Sequence, residues 1–231
     1  MSETSTAQSP PEPDSESVPV TAIVIGATGV VGRALVDQLA AADHIGKVVS
    51  LTRRAVSHDN VKVDNHVLDF EQLHKHRELF QGDCLFSCLG TTRKQAGSIA
   101  AQRLVDLDYQ LSAAQLAAEQ GVKHYLLVSS SGANARSFSP YLKMKGELEQ
   151  AVLGLSFERI SLFRPSLLLG ERSDSRVGEK LASQVLPGLC KLPGLSSYRP
   201  IRGDQVAAKM VEVSAEEGPV HQCFNLDEVF P

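Results

Sequence analysis

The sequence predicts an α/β protein with a doubly wound, mostly parallel sheet. Two observations predict it. Short apolar runs alternate with amphipathic helical segments along most of the chain. A glycine-rich loop, Gly26-Ala27-Thr28-Gly29-Val30-Val31-Gly32, lies between the first apolar run and the first helix. Residues 20–25 read as a buried strand, and 30–42 as a helix with Val31, Leu35 and Leu39 on one stripe. Strands are expected over 47–52 and 61–68, a short helix over 70–80 and a fourth strand over 83–89. A long helix over 100–120 is closed by Gly121, and a fifth strand follows over 125–129. Pro140 opens a helix over 141–153, since proline suits a first helical turn. A sixth strand over 158–163, a helix over 204–215 and a last strand over 223–226 complete the pattern. Strand–helix alternation implies a sheet covered on both faces.

Residues 1–18 are rich in Ser, Thr, Glu and Pro and read as a disordered tail without the apolar core of a secretory signal. Residues 19–231 then form one domain. Within it, 165–200 break the rhythm with Gly170, Gly178, Pro187, Gly188, Pro193 and Gly194 around one short helix over 180–185. An irregular lobe at the carboxyl edge of such a sheet is where substrate sits.

Composition narrows the function. The 231 residues are 42% hydrophobic and 22% charged, with a net charge of −4. That charge gives no general attraction to nucleic acid or to an anionic membrane. No apolar run approaches the ~20 residues of a membrane span. The four cysteines, Cys84, Cys88, Cys190 and Cys223, read as reduced thiols, from which a cytoplasmic address follows. His74 and His76 are two apart and diverge on a helix, so with His66 they make no metal site.

The glycine loop has the spacing G-x-x-G-x-x-G. Gly26 permits the sharp exit from the strand, Gly29 lets the backbone approach a pyrophosphate, and Gly32 lets the helix lie close on the sheet. The helix N-terminus then presents free N–H groups and a partial positive charge to the phosphates. This is the dinucleotide-binding arrangement of an NAD(P)-binding Rossmann fold. Sites selective for NAD place a carboxylate at the end of the second strand. Here that position reads Leu51-Thr52-Arg53-Arg54. Arginine forks match a 2′-phosphate, so NADP (NADPH) is expected, with Arg53 as first contact and Arg54 as second. Asp69, after the third strand, either accepts a bond from the adenine amino group or caps the following helix.

Tyr141 and Lys145 are four apart on one helix and share a face. The fifth strand ends in Ser129-Ser130-Ser131. Reducing a carbonyl needs a proton donor for the developing alkoxide. A free phenol, with a pKa near ~10, exchanges protons poorly at neutral pH, and a nearby ammonium favours its phenolate. Tyr141 is therefore the candidate acid and Lys145 its tuner and a ribose ligand. A serine, taken as Ser130 from its place just past the strand, holds the substrate oxygen.

The runs Cys88-Leu89-Gly90-Thr91-Thr92-Arg93, Lys123-His124-Tyr125-Leu126-Leu127-Val128-Ser129-Ser130, Tyr141-Leu142-Lys143-Met144-Lys145-Gly146-Glu147 and Phe163-Arg164-Pro165, with the glycine loop, form a distinctive set. In them the sequence resembles the Tat-interacting-protein oxidoreductases, atypical short-chain dehydrogenase/reductases. The resemblance runs from about Val20 to Val213. It implies NADPH binding and a Ser-Tyr-Lys set. It also implies that Cys88, Leu89 and Gly90 line the cofactor, that Thr91 and Thr92 border the pocket, and that Pro165, with Ser166 and Leu167, lies near the nicotinamide. Asp106 departs from the Asn by which many extended relatives support a proton relay. The expected substrate is a small carbonyl compound, since the lobe is short for a nucleotide sugar. The rival expectation is an NADPH-binding regulator that reports the cofactor by binding a protein partner, without substantial turnover, because members of this family are named for protein interactions. No nucleic-acid or membrane partner is expected, and the oligomeric state is left between monomer and homodimer.

Overall fold

A computed structural model describes residues 18–169 and 199–231. The expected N-terminal tail, Cys190, the short helix over 180–185 and most of the 165–200 lobe fall outside the described residues.

Seven strands form one sheet in the order β3-β2-β1-β4-β5-β6-β9. They are β1 (Val20–Ile25), β2 (Ile45–Thr52), β3 (Val63–Val67), β4 (Cys84–Ser87), β5 (His124–Val128), β6 (Arg159–Arg164) and β9 (His221–Asn225). Every neighbouring pair is parallel. The remaining two, β7 (Leu168–Leu169) and β8 (Ile201–Arg202), make a separate parallel pair. Each expected strand is present, with ends displaced by at most two residues.

Side chains leave a strand on alternate faces, and this sorts the core into two layers. Ile23 and Ile25 of β1, with Leu51, Leu85 and Leu127, face one side, where α4 (Tyr109–Glu119) and α5 (Pro140–Val152) cover them. Ala22 and Val24, with Val48, Phe86 and Leu126, face the other, under α1 (Val30–Ala41) and α6 (Gly203–Ala215). Helix α1 contributes Leu35, Val36, Leu39 and Ala40, the stripe the sequence pattern predicts. β1 pairs β2 on one side and β4 on the other, so strand order reverses at β1. A crevice therefore opens beyond the carboxyl ends of β1 and β4.

Two helical elements are irregular. The segment Phe70–Phe80 is 3-10 helix rather than α, with non-helical backbone at Gln72 and His76. The long helix expected over 100–120 is interrupted. It begins as α3 (Ile99–Arg103), passes through a π-helical turn over Leu104–Asp108, and continues as α4. A π turn carries one more residue than an α turn and frees backbone groups. Gln110 answers that demand: its Nε2 donates to the carbonyls of Asp106 (2.9 Å) and Val105 (3.3 Å), while its Oε1 accepts from Ser87 Oγ of β4 at 2.8 Å. Asp106 and Leu107 are the buried residues of the turn. Ahead of α3 lies the four-residue α2 (Arg93–Ala96).

The glycine loop is the tightest backbone contact of this layer. A Cβ on Gly32 would lie 2.1 Å from the Gly26 carbonyl oxygen, and one on Gly26, where φ is +83°, 2.5 Å from the Cys88 carbonyl carbon. Gly32→Ala would drive a methyl group into that oxygen. The expected cost is about 2 kcal/mol, typical of overpacking a filled site. It would be read as a lower urea midpoint, and an unchanged midpoint would show that loop and helix are not in hard contact.

Candidate active site

A cavity of about 1280 Å³ opens over the crevice. The glycine loop supplies Thr28, Gly29, Val30 and Val31; the end of β4 supplies Cys88, Leu89 and Gly90; α5 supplies Tyr141 and Lys145. A second hollow of about 470 Å³ shares Thr28, Gly29, Arg53, Arg54, Cys88, Leu89 and Gly90 with the first and adds Gly26, Thr52 and Phe70. The resulting groove runs from the ends of β4 and β5, across the N-terminus of α1, to the turn after β2.

The middle of this groove suits a pyrophosphate. No side chain caps α1, and Gly29 N–H is bonded back to Gly26 O at 3.0 Å, which closes the loop. A Cβ at Gly29 would already lie 3.3 Å from the Gly26 oxygen. A bare backbone at an uncapped helix N-terminus favours an anion.

Beyond β2 the wall is cationic. Arg53, Arg54 and Arg33 all reach the cavity. The turn that carries Arg53 is held from beneath. Thr52 Oγ1 donates to the Arg54 carbonyl at 2.8 Å. Asn65 of β3 accepts from Val56 N–H at 3.2 Å and donates to Ser50 O at 3.1 Å. The carboxylates on the cavity wall, Asp37 and Asp204, come from helices, not from the end of β2. Asp204 is held in a bidentate pair by Arg202 (3.0 and 2.9 Å).

At the other end, Ser129, Tyr141 and Lys145 line the same cavity. Lys145 is 2% exposed, and its Nζ donates to Val128 O at 3.3 Å. Gly146 explains how α5 sits so deep: a Cβ there would lie 2.2 Å from Ala135 N, so only hydrogen lets the helix pass this loop. Asp106 of the π turn is fully buried and lies 3.7 Å from Lys145 Nζ. Burial holds the Asp106 carboxyl above the ordinary range, while the Lys145 charge and the Thr91 N–H pull it back. Burial pushes the neighbouring Cys88 thiol up to about 12, which keeps it neutral.

Some expected residues sit elsewhere. Ser130 is not on the cavity wall, and its Oγ is directed at the Ser131 carbonyl at 3.4 Å. Ser129 is on the wall, with a buried Oγ that has no hydrogen-bond partner. Asp69 caps the 3-10 segment, accepting from Glu71 N–H at 2.9 Å, and does not line the groove. Pro165 is buried one step back, where its carbonyl accepts Ser131 N–H at 3.0 Å. Gly32 packs against the loop rather than facing the groove. Arg33, Leu168, Leu169 and Arg202 reach the wall without having been singled out from the sequence. Only Arg33 left a signal there, since it follows Gly32 in the first turns of α1. Cys84, Cys88 and Cys223 are free thiols. His66 Nε2 lies 3.1 Å from Asp64, and among the described residues no three His, Cys, Asp or Glu side chains converge as metal ligands. No helix of the described residues is long and apolar enough to cross a membrane.

Fold and groove together define a dinucleotide-binding protein of the Rossmann type. The chain belongs to the NAD(P)H-binding family, whose model matches residues 26–162. It is similar to Protein HTATIP2 of Rattus norvegicus, with 41% identity over 170 residues, 72% of this chain and 70% of the relative. It is also similar to the protein of Candida glabrata named "Protein FMP52, mitochondrial", with 34% identity over 211 residues, 85% of this chain and 86% of the relative. The resemblance read from the Cys88–Arg93 and Tyr141–Glu147 runs therefore stands. Among solved structures, MoeE5 in complex with UDP-glucuronic acid and NAD superposes with a TM-score of 0.70 at 16% identity, over 90% of this chain and 76% of that one. The Bordetella bronchiseptica enzyme WbmH in complex with NAD+ superposes with a TM-score of 0.69 at 13% identity, over 90% and 75%. At those identities the likeness is one of fold.

Proposed function

We propose that this chain is an NADPH-dependent oxidoreductase of the short-chain dehydrogenase type, reducing a small carbonyl compound. The observation that carries the reading is the convergence of Ser129, Tyr141 and Lys145 on the cavity that also holds the glycine loop. Gly26, Gly29 and the first amides of α1 would hold the pyrophosphate. Cys88, Leu89 and Gly90 would flank the cofactor, and Lys145 would bond the nicotinamide ribose. Bound NADPH would supply the hydride. Tyr141 Oη donates a proton to the carbonyl oxygen, and Ser129 Oγ, free of any protein partner, holds that oxygen in line. Ser129 takes this role in place of Ser130 because it alone of the two faces the cavity. The cationic wall of Arg33, Arg53 and Arg54 supports the phosphorylated cofactor over NADH. The thiols support a reducing compartment. The cytoplasm is one such place, although the fungal relatives are named mitochondrial.

The first assay is a carbonyl panel followed by loss of NADPH absorbance. Tyr141→Phe should keep NADPH binding, read by fluorescence titration, and lose turnover by about a hundredfold or more. Equal turnover in that variant would remove Tyr141 from the chemistry. Ser129→Ala should slow turnover more than Ser130→Ala, and the reverse order would restore Ser130. Arg53→Ala should weaken NADPH binding by about tenfold and leave NADH nearly unchanged. Parallel losses for both cofactors would refute the specificity.

A further inference from the structure

Lys145 is an ammonium almost wholly removed from water, and such a charge is stable only beside a counter-charge. The groups around it come from four elements. From the end of β4 comes the Cys88 thiol, which is neutral. From the end of β5 come the Val128 carbonyl and the Ser129 hydroxyl, both uncharged. On α5 itself, Tyr141 lies one turn earlier, and Glu149, one turn later, is held by Arg164 at 2.6 and 3.0 Å. From the π turn comes Asp106, 3.7 Å away. The nearby carboxylates Asp108 and Glu147 are drawn to Arg103, at 3.9 and 2.5 Å. Asp106 is thus the one carboxylate among the described residues that pairs with Lys145.

The carboxylate of Asp106 is itself oriented. Its Oδ2 accepts Thr91 N–H at 3.3 Å, and its Oδ1, buried, takes no hydrogen bond and faces the ammonium. The backbone beneath it is fixed by Gln110 and Ser87. Without the π turn, the side chains around position 106 would sit at a different angle on the helix.

We propose that Asp106 is a positioning residue for Lys145, the buried anion that holds this ammonium in place so that its free N–H faces the cavity. The inference rests on Lys145 as a cofactor-ribose ligand. Asp106 touches neither substrate nor cofactor and acts through Lys145 alone. Asp106→Asn keeps the shape and removes the charge. The buried ammonium then loses the counter-charge that holds it in place. The ribose contact is lost with it.

The test is the NADPH dissociation constant of Asp106→Asn divided by that of the wild type, measured by fluorescence. The ratio should be about ten, the worth of one charge-assisted hydrogen bond. In a Lys145→Met background the same substitution should leave the constant nearly unchanged. Asp106→Glu, which keeps the anion, should return the constant towards the wild type. A ratio near one in the Asn variant, an equal ratio in the Lys145→Met background, or a Glu variant that behaves like Asn would each overturn the proposal. Urea midpoints of the two single variants and the double variant read the same pair without cofactor, and additive losses there would also overturn it. Wild-type protein that does not bind NADPH would sink the cofactor reading, whereas wild-type binding with a variant ratio near one would sink this inference alone.

Discussion

The carbonyl oxygen of Gly26 stands where a side chain on Gly32 would have to be. That contact, made between two backbones, sets the angle at which the chain leaves β1 and the depth at which α1 lies on the sheet. Both hollows depend on it. With α1 this close, its uncapped N-terminus opens into the groove between the ends of β1 and β4, and its next turn turns Arg33 towards the cationic wall. Gly203 repeats the device one helix over: a Cβ there would lie 2.4 Å from Val30 O, so α6 begins against the start of α1 and brings Arg202 and Asp204 to the cavity.

The opposite end of the groove is governed by charge. Two ionisable groups, Asp106 and Lys145, are buried within 4 Å of each other. Such a pair is weak evidence of stability, because taking both ions out of water offsets most of their attraction. Its value here is positional. A run of bonds from Ser87 through Gln110 to the π turn sets the carboxylate, the carboxylate and Val128 set the ammonium, and the ammonium lies one helical turn from Tyr141. Besides Asp106 Oδ1, which faces the ammonium, Ser129 Oγ is a buried polar atom of this end without a protein hydrogen-bond partner, and its residue lines the cavity.

Much of this was legible in the chain before its folding was known. Buried runs of five or six residues, an amphipathic repeat and a glycine loop are local signals, and they located all seven strands of the main sheet. The i, i+4 spacing of Tyr141 and Lys145 placed both on one face, because helical geometry alone decides that. The absence of a carboxylate after β2 is equally a matter of reading. Asp69 is instructive at the margin: two roles were open, and the short reach to Glu71 N–H decided for the cap.

What the sequence by itself determined is therefore the alternation of elements, the loop between β1 and α1, and the pairing of Tyr141 with Lys145, all fixed by contacts within a few residues. Tertiary structure decided the rest. It put Ser129 and not Ser130 on the cavity wall, since one residue's step at a strand end swings a side chain from one face to the other. It buried Asp106 against Lys145 through a π turn that depends on Ser87, 23 residues before Gln110. It set Arg33, Arg53 and Arg202 around one cavity from three separate elements. Those outcomes depend on contacts between segments far apart in the chain, and no local pattern of residues encodes which of them will meet.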